Sequence, residues 1–208
     1  MTAEAVPTSA RASVIHPIWV RITHWINAVA TLVMIGSGWE IYNASPLPLL
    51  QFELPKSITL GGWLAGALAW HFAAMWVLMV NGIVYVTLGI ATGRFRAKLF
   101  PIRPREVARD FVAALRHRLS YDDLSVYNAV QKLFYLIVIC AGAVIVLSGL
   151  AIWKPVQFQE ITALFGGYET ARYVHFFAMA TIVAFLVVHV SLALIVDLPH
   201  ALGESATP

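Results

Sequence analysis

This sequence contains almost no cysteine. Cys140 is the single one among 208 residues, so no disulfide framework can form within the chain. The C-x-x-C-H motif for covalent haem attachment is also absent. Cys140 itself lies within the apolar stretch LIVICAGAV, where a thiol packs as a small hydrophobic side chain.

Charged residues are also scarce. They make up 12% of the chain, whereas hydrophobic residues make up 60% and the mean hydropathy is +0.76. A soluble domain of this length carries about twice that charged fraction. The composition therefore argues against a soluble globular protein and indicates an integral membrane protein. The N-terminal segment lacks the short apolar core and cleavage site of a signal peptide, so we expect the first apolar run to be retained.

Four apolar stretches are long enough to cross a bilayer, which takes about 20 residues. Backbone polar groups in lipid must pair within their own segment, so these stretches are predicted to be helices. The predicted fold is an all-α, integral membrane four-helix bundle, formed by a single membrane domain over residues 1–208. No internal repeat is evident. The predicted spans are residues 18–42, 61–91, 133–153 and 172–196.

The positions of Lys and Arg predict the orientation of the bundle. Eight of the fourteen lie between spans two and three, and those at positions 11, 21 and 132 fall on the same side. Positive residues favour the cytoplasmic side, so both termini and this loop are predicted to face the cytoplasm of a bacterial inner membrane. Within the loop, PREVARDFVAALRHRL has apolar residues at helical spacing. This pattern predicts a basic amphipathic helix on the membrane surface, with a solvated charged connector as the alternative.

The fourth predicted span, YVHFFAMATIVAFLVVHVSLALIV, contains two histidines. Fourteen residues separate His175 from His189, which is about 21 Å along a helix axis and about 40° around it. The two side chains therefore share a face at opposite membrane depths. His24 in the first span matches the depth of His189, and His71 in the second matches that of His175. We expect two histidine pairs, one near each face of the membrane.

Haem is the ligand that suits such pairs. A bis-imidazole site fills both axial positions with protein nitrogen and is suited to one-electron transfer. Two irons about 20 Å apart would carry electrons across the bilayer. Zinc would need further ligands, and no Cys, Asp or Glu adjoins these histidines. A proton relay and structural hydrogen bonds remain as alternatives. The glycines expected to admit a flat macrocycle between helices are Gly36, Gly38, Gly142 and Gly149.

Several segments together resemble a known family. RITHW in the first span, YNAVQK before the third, AIWKPV at its end and the paired histidines of the fourth are similar to dihaem cytochrome b subunits. Such subunits serve membrane-bound formate dehydrogenases and nickel–iron hydrogenases, and the resemblance covers residues 17–196. ITLGGWLAGALAWHF and GRFRAKLFPIRPRE look closest to a subgroup that partners periplasmic molybdopterin oxidoreductases of the sulfite-oxidase-like kind.

The resemblance implies two non-covalent haem b groups and a quinone pocket for menaquinone or ubiquinone. In YNAVQK, Asn128 and Gln131 would line that pocket beside the cytoplasmic-side haem, although Asn128 could instead cap the third helix. Arg21, one turn before His24, could pair with a propionate of the inner haem, as Arg172 could at the outer one. Both arginines could equally be interface anchors. The implied iron ligands are His24, His71, His175 and His189.

These observations predict an electron-transfer subunit of a membrane oxidoreductase complex. It would carry electrons between a periplasmic redox subunit, a molybdopterin oxidoreductase, and the quinone pool, with the chemistry supplied by haem. One alternative is a stand-alone quinol oxidoreductase that passes electrons to oxygen, superoxide or ferric iron. Another, from a different class, is a haem-free membrane anchor or transporter.

Overall fold

The computed structural model describes residues 17–99, 101–115 and 129–201. Within these ranges the chain is almost entirely helical and contains no β-strand. Four of the helices are long and apolar enough to cross a membrane, which confirms the predicted all-α, four-helix membrane fold. In chain order the helices are α1 (Ile18–Ala44), α2 (Leu64–Ala91), α3 (Arg94–Leu99), α4 (Pro104–Leu115), α5 (Ala129–Trp153), α6 (Gln159–Leu164) and α7 (Tyr168–Ala201), with a 3-10 turn at Lys56–Ile58.

Three of the long helices, α2, α5 and α7, begin three or four residues from their predicted starts, and specific contacts account for the first two of these shifts. Helix α2 begins three residues after the predicted position 61, because Gly61 and Gly62 have φ values of +113° and +71°. A Cβ atom at Gly61 would lie 2.3 Å from the backbone nitrogen of Ala67, so only glycine fits this turn. Helix α5 begins earlier than predicted, at Ala129, whose N–H group donates to Oδ2 of Asp110 at 3.0 Å. A side chain from the loop helix thus caps a membrane helix.

The loop between α2 and α5 contains the predicted amphipathic helix. Helix α4 occupies most of the predicted segment, and Phe111 and Val112 on it are 52% and 45% exposed. Such exposed apolar side chains are typical of a helix that rests on the membrane surface. Residues 116–119 of the predicted segment lie outside the described residues. The cytoplasmic location of this loop and of the termini stays a prediction.

The long helices associate in two pairs, α1 with α2 and α5 with α7, and the backbones approach most closely within each pair. Small residues make these close approaches possible, as they do in other membrane bundles. Asn81 of α2 reinforces the first pair by donating to the carbonyl of Thr23 at 2.8 Å and to Oδ1 of Asn27 at 2.6 Å. The buried alanines are Ala30, Ala67 and Ala74 in the first pair and Ala129, Ala141, Ala151, Ala171 and Ala178 in the second.

The loop between α1 and α2 is held firmly at the end of the bundle opposite α3 and α4. The side-chain amide of Asn43 donates to the carbonyl of Leu54 and accepts from its N–H group, both at 2.9 Å. Arg172 at the start of α7 donates to the carbonyl of Ser45 at 2.6 Å. These bonds tie the two helix pairs together at this end. The guanidinium of Arg172 is thereby directed to the loop.

Candidate functional site

Two pairs of histidine rings meet between α7 and the first helix pair. His24 is exposed, and the other three histidines are partly buried. His24 of α1 and His189 of α7 have ring centroids 6.1 Å apart, with their planes at 67°. His71 of α2 and His175 of α7 have ring centroids 6.4 Å apart, with their planes at 59°. These are the two pairs expected from matching depths along the spans. Each pair joins a helix of the first helix pair to α7 of the second. We call them the inner pair (His24 and His189) and the outer pair (His71 and His175).

The separation of the rings suits a shared metal. Two imidazoles bound to opposite sides of one metal place their centroids about 6 Å apart, because the metal–nitrogen bond is about 2 Å long and the nitrogen lies about 1 Å from the ring centre. Both observed separations match this value. Crossed ring planes are compatible with axial ligation, since each ring can rotate about its bond to the metal. The donor sets therefore fit haem iron.

The outer pair is anchored by two buried hydroxyl groups. Oγ of Ser37 on α1 lies 3.0 Å from Nδ1 of His71, and Oγ of Ser148 on α5 lies 3.1 Å from Nδ1 of His175. Both serines are fully buried. These contacts orient the rings so that Nε2 of each is the nitrogen left for a metal.

Glycines adjoin the same rings. A Cβ atom at Gly38 would lie 3.6 Å from Cε1 of His71, and one at Gly149 would lie 3.2 Å from Cε1 of His175. The predicted role of these two glycines, making room at a cofactor site, agrees with this placement. Gly36 instead approaches Leu60 of the loop, and a Cβ at Gly142 would meet nothing within 4 Å. Neither of the latter two adjoins a histidine ring.

The inner pair has an aromatic environment. The ring of Phe185 stacks on His189 with centroids 5.5 Å apart and an interplanar angle of 13°. Phe134 of α5 contacts Phe185 in turn, at 6.5 Å between centroids. Trp25 packs edge-on to His24 at 5.7 Å. Within the described residues, neither ring of the inner pair has a recorded hydrogen bond.

The remaining predicted residues are placed as follows. Gln131 lies in the first turn of α5, one turn before Phe134 on the same side of the helix. Asn128 lies outside the described residues. Arg21 is exposed on α1, one turn before His24. Arg172 donates to the carbonyl and the hydroxyl of Ser45 in the loop. Its two predicted roles, a propionate partner and a membrane-interface anchor, stay predictions.

The described residues offer little to a zinc ion. No group of three or more His, Cys, Asp or Glu side chains among them is close enough to hold a metal. A closed zinc site takes four protein ligands and a catalytic one takes three. A pair of imidazoles suits an iron whose other four ligands come from a porphyrin.

Sequence reasoning did not identify Ser37 or Asp110. Ser148, as a polar residue within a span, is expected to bond a neighbouring helix, and the structure shows that its partner is His175. Ser-Gly occurs at positions 37–38 and again at 148–149, in the first and third spans, and this short repeat was the available signal. Its meaning depends on which histidine each serine faces. Asp110 lies nineteen residues before the helix that it caps, and nothing in the local sequence indicates that contact.

Two histidine pairs stacked in a four-helix membrane bundle are typical of membrane-bound b-type cytochromes. The family model for prokaryotic cytochrome b561 matches residues 15–202, and the chain belongs to that family. Membership implies b-type haem and electron transfer within a membrane. This confirms, at the level of the family, the resemblance described from the sequence.

A relative in Azospira oryzae supports the same assignment. It is 52% identical over 182 residues, which cover 88% of this chain and 91% of the relative. That protein carries the provisional name protein-methionine-sulfoxide reductase subunit YedZ1. The name describes it as a subunit of a reductase.

Proposed function

We propose that this chain is a dihaem cytochrome b that carries electrons across the inner membrane between the quinone pool and a periplasmic molybdopterin oxidoreductase. The observation that carries the proposal is the pair of ring separations, 6.1 and 6.4 Å, at each of which the two histidines could hold one iron between them. Haem, when bound, supplies the one-electron redox chemistry.

The residues of the chain would have three tasks. The inner pair would hold one haem and the outer pair the other, each through one ring nitrogen of both histidines. Helix α7 would fix the distance between the levels, because His175 and His189 lie fourteen residues apart on one continuous helix, about 21 Å. The side chains around the outer pair would exclude water there, whereas His24 of the inner pair is exposed.

The quinone site is proposed at the inner level. Gln131 lies one turn before Phe134, which contacts Phe185, and Phe185 stacks on His189. This chain of contacts brings the first turn of α5 near the inner pair. The amide of Gln131 could bond a quinone carbonyl there, together with Asn128 of the same motif.

The partner is proposed from the relative. The Azospira oryzae protein is named as a subunit of a methionine sulfoxide reductase, and the identity of 52% supports a similar assembly here. Electrons would then flow from quinol through the inner level to the outer level and to a reductase outside the membrane. Copurification of the solubilised protein with a periplasmic subunit would distinguish this complex from a stand-alone quinol oxidoreductase.

The first experiment is a reduced-minus-oxidised absorption spectrum of the purified full-length protein, together with the ratio of haem to protein. We expect the α-band of a low-spin haem b and two haems per chain. A colourless protein from haem-replete cells would contradict the proposal, and a ratio of one would remove one of the two sites.

Single substitutions separate the two levels. His189→Ala should leave one haem and abolish reduction by quinol, whereas His71→Ala should leave one haem that quinol still reduces. Thr181→Val, at an exposed position of α7, is the matched control and should keep both haems. If His189→Ala kept quinol reduction and His71→Ala lost it, the proposed orientation would be inverted.

A further inference from the structure

We propose that Ser37 and Ser148 are positioning residues that tune the outer haem, each by accepting the Nδ1–H proton of one of its two histidine ligands. This inference rests on the proposed function, because it needs a haem between His71 and His175. It goes further in assigning to the outer haem an electronic property for which the described residues provide no counterpart at the inner pair.

The hydroxyl groups are available as acceptors because their own protons are already used. Oγ of Ser37 lies 2.6 Å from the carbonyl oxygen of Val33, and Oγ of Ser148 lies 2.7 Å from that of Val144. A serine hydroxyl has one proton and two lone pairs, so a hydroxyl that donates to its own helix can still accept. The neighbouring Nδ1 atoms, 3.0 and 3.1 Å away, are then the donors.

Burial of the two serines protects these hydrogen bonds from competition by water. Both serines have no exposed surface, so no bulk water competes for the ring proton. The protein therefore fixes one tautomer at each ring, with the proton on Nδ1 and the lone pair on Nε2, where an iron would bind.

The two halves of the outer site repeat one arrangement. On α1, Ser37 bonds the ring of His71 and the next residue, Gly38, lies against Cε1 of that ring. On α5, Ser148 and Gly149 do the same for His175. The two ligands of one iron thus receive the same support from opposite sides of the bundle.

A ligand that donates its second N–H becomes a stronger electron donor to the metal. Stronger donation favours the oxidised iron and lowers the midpoint potential, for which hydrogen bonding around the ligands is a known determinant. The inner pair has no such bond among the described residues. We expect this effect to lower the potential of the outer haem and not that of the inner haem.

The test is a potentiometric titration of the full-length protein with Ser148→Ala and, separately, Ser37→Ala. Thr181→Val is the control, because it removes a hydroxyl of α7 whose one hydrogen bond within the described part of the chain is to the carbonyl of Phe177, at 2.9 Å. His189→Ala, which should retain the outer haem alone, identifies the outer wave of the titration. Both serine variants should shift that wave to higher potential and alter its low-spin electron paramagnetic resonance signal, with the inner wave unchanged.

The carbonyl oxygens of Met34 and Ile145 lie 3.2 Å from Oγ of Ser37 and of Ser148, next to the two rings, and are the competing acceptors. If these carbonyl groups accept the ring protons, the outer haem will have the same midpoint potential in both serine variants as in the control. The inference will then be wrong. If Ser148→Ala does not retain its outer haem, Ser37→Ala carries the same measurement at the other ligand. A wild-type protein without haem would overturn the proposed function itself, whereas two haems with unshifted potentials would overturn only this inference.

Discussion

Replacing Gly149 by alanine would place a methyl group against the ring of His175. The new Cβ would lie 3.2 Å from Cε1 and 3.6 Å from Nδ1 of that ring. Carbon atoms in favourable contact are about 3.5–4.0 Å apart, so the ring must move by a few tenths of an ångström. The bond from Nδ1 to Ser148, at 3.1 Å, opposes that movement.

Overpacking of this kind costs about 1–3 kcal/mol. If the cost falls on the haem-binding conformation of His175, the outer haem should bind about 5- to 150-fold more weakly. The assay is the rate and extent of haem loss to excess apomyoglobin, followed in the purified protein by absorption. We expect one of the two haems to be lost faster and the other to be unaffected.

The chain supplies a matched control in Gly38. A Cβ there would lie 3.6 Å from Cε1 of His71, an ordinary contact. Alanine should be tolerated at this position and should gain about 1 kcal/mol of helix propensity over glycine. Equal haem loss from the two variants, or greater loss from Gly38→Ala, would refute the reasoning.

Three further changes test the packing. Asn81→Leu removes two buried interhelical bonds and leaves the carbonyl of Thr23 without this donor, so it should destabilise the fold by about 1–3 kcal/mol and lower the melting temperature in detergent. Asp110→Ala removes the cap of α5 and should lower the free energy of unfolding by about 0.5–2 kcal/mol. Asp110→Asn should lower it less, because an amide oxygen can still accept the bond from Ala129. Equal melting temperatures of the two variants would contradict the capping role. Arg172→Met should leave haem content unchanged and increase proteolytic cleavage of the loop near Ser45; haem loss without faster cleavage would contradict the anchoring role.

The sequence predicts the four spans and the histidine pairing for the same reason. A membrane helix is regular, so counting residues from a membrane face gives the depth of a side chain. That is why His24 could be matched with His189 and His71 with His175 before any contact was known.

Features that depend on rotation or on distant segments could not be predicted in this way. The sequence does not show whether a serine within an apolar span faces lipid or a histidine ring. The start of α5 moved because Asp110 reaches it from another helix, and the start of α2 moved because of the left-handed backbone at Gly61 and Gly62. The orientation of the bundle and the contacts of Asn128 stay predictions.

Helix α7 contributes a ring to both histidine pairs, and no glycine or proline lies between residues 175 and 189. Helices bend sharply only at such residues or at local disruptions, so this stretch behaves as a stiff rod. The inner and outer pairs are consequently coupled, because a rotation of α7 that misaligns His175 also misaligns His189. One residue inserted between His175 and His189 would rotate one ring relative to the other by about 100° around the helix axis. The distance between the two pairs can therefore change only by insertions or deletions that return both rings to the same face of α7.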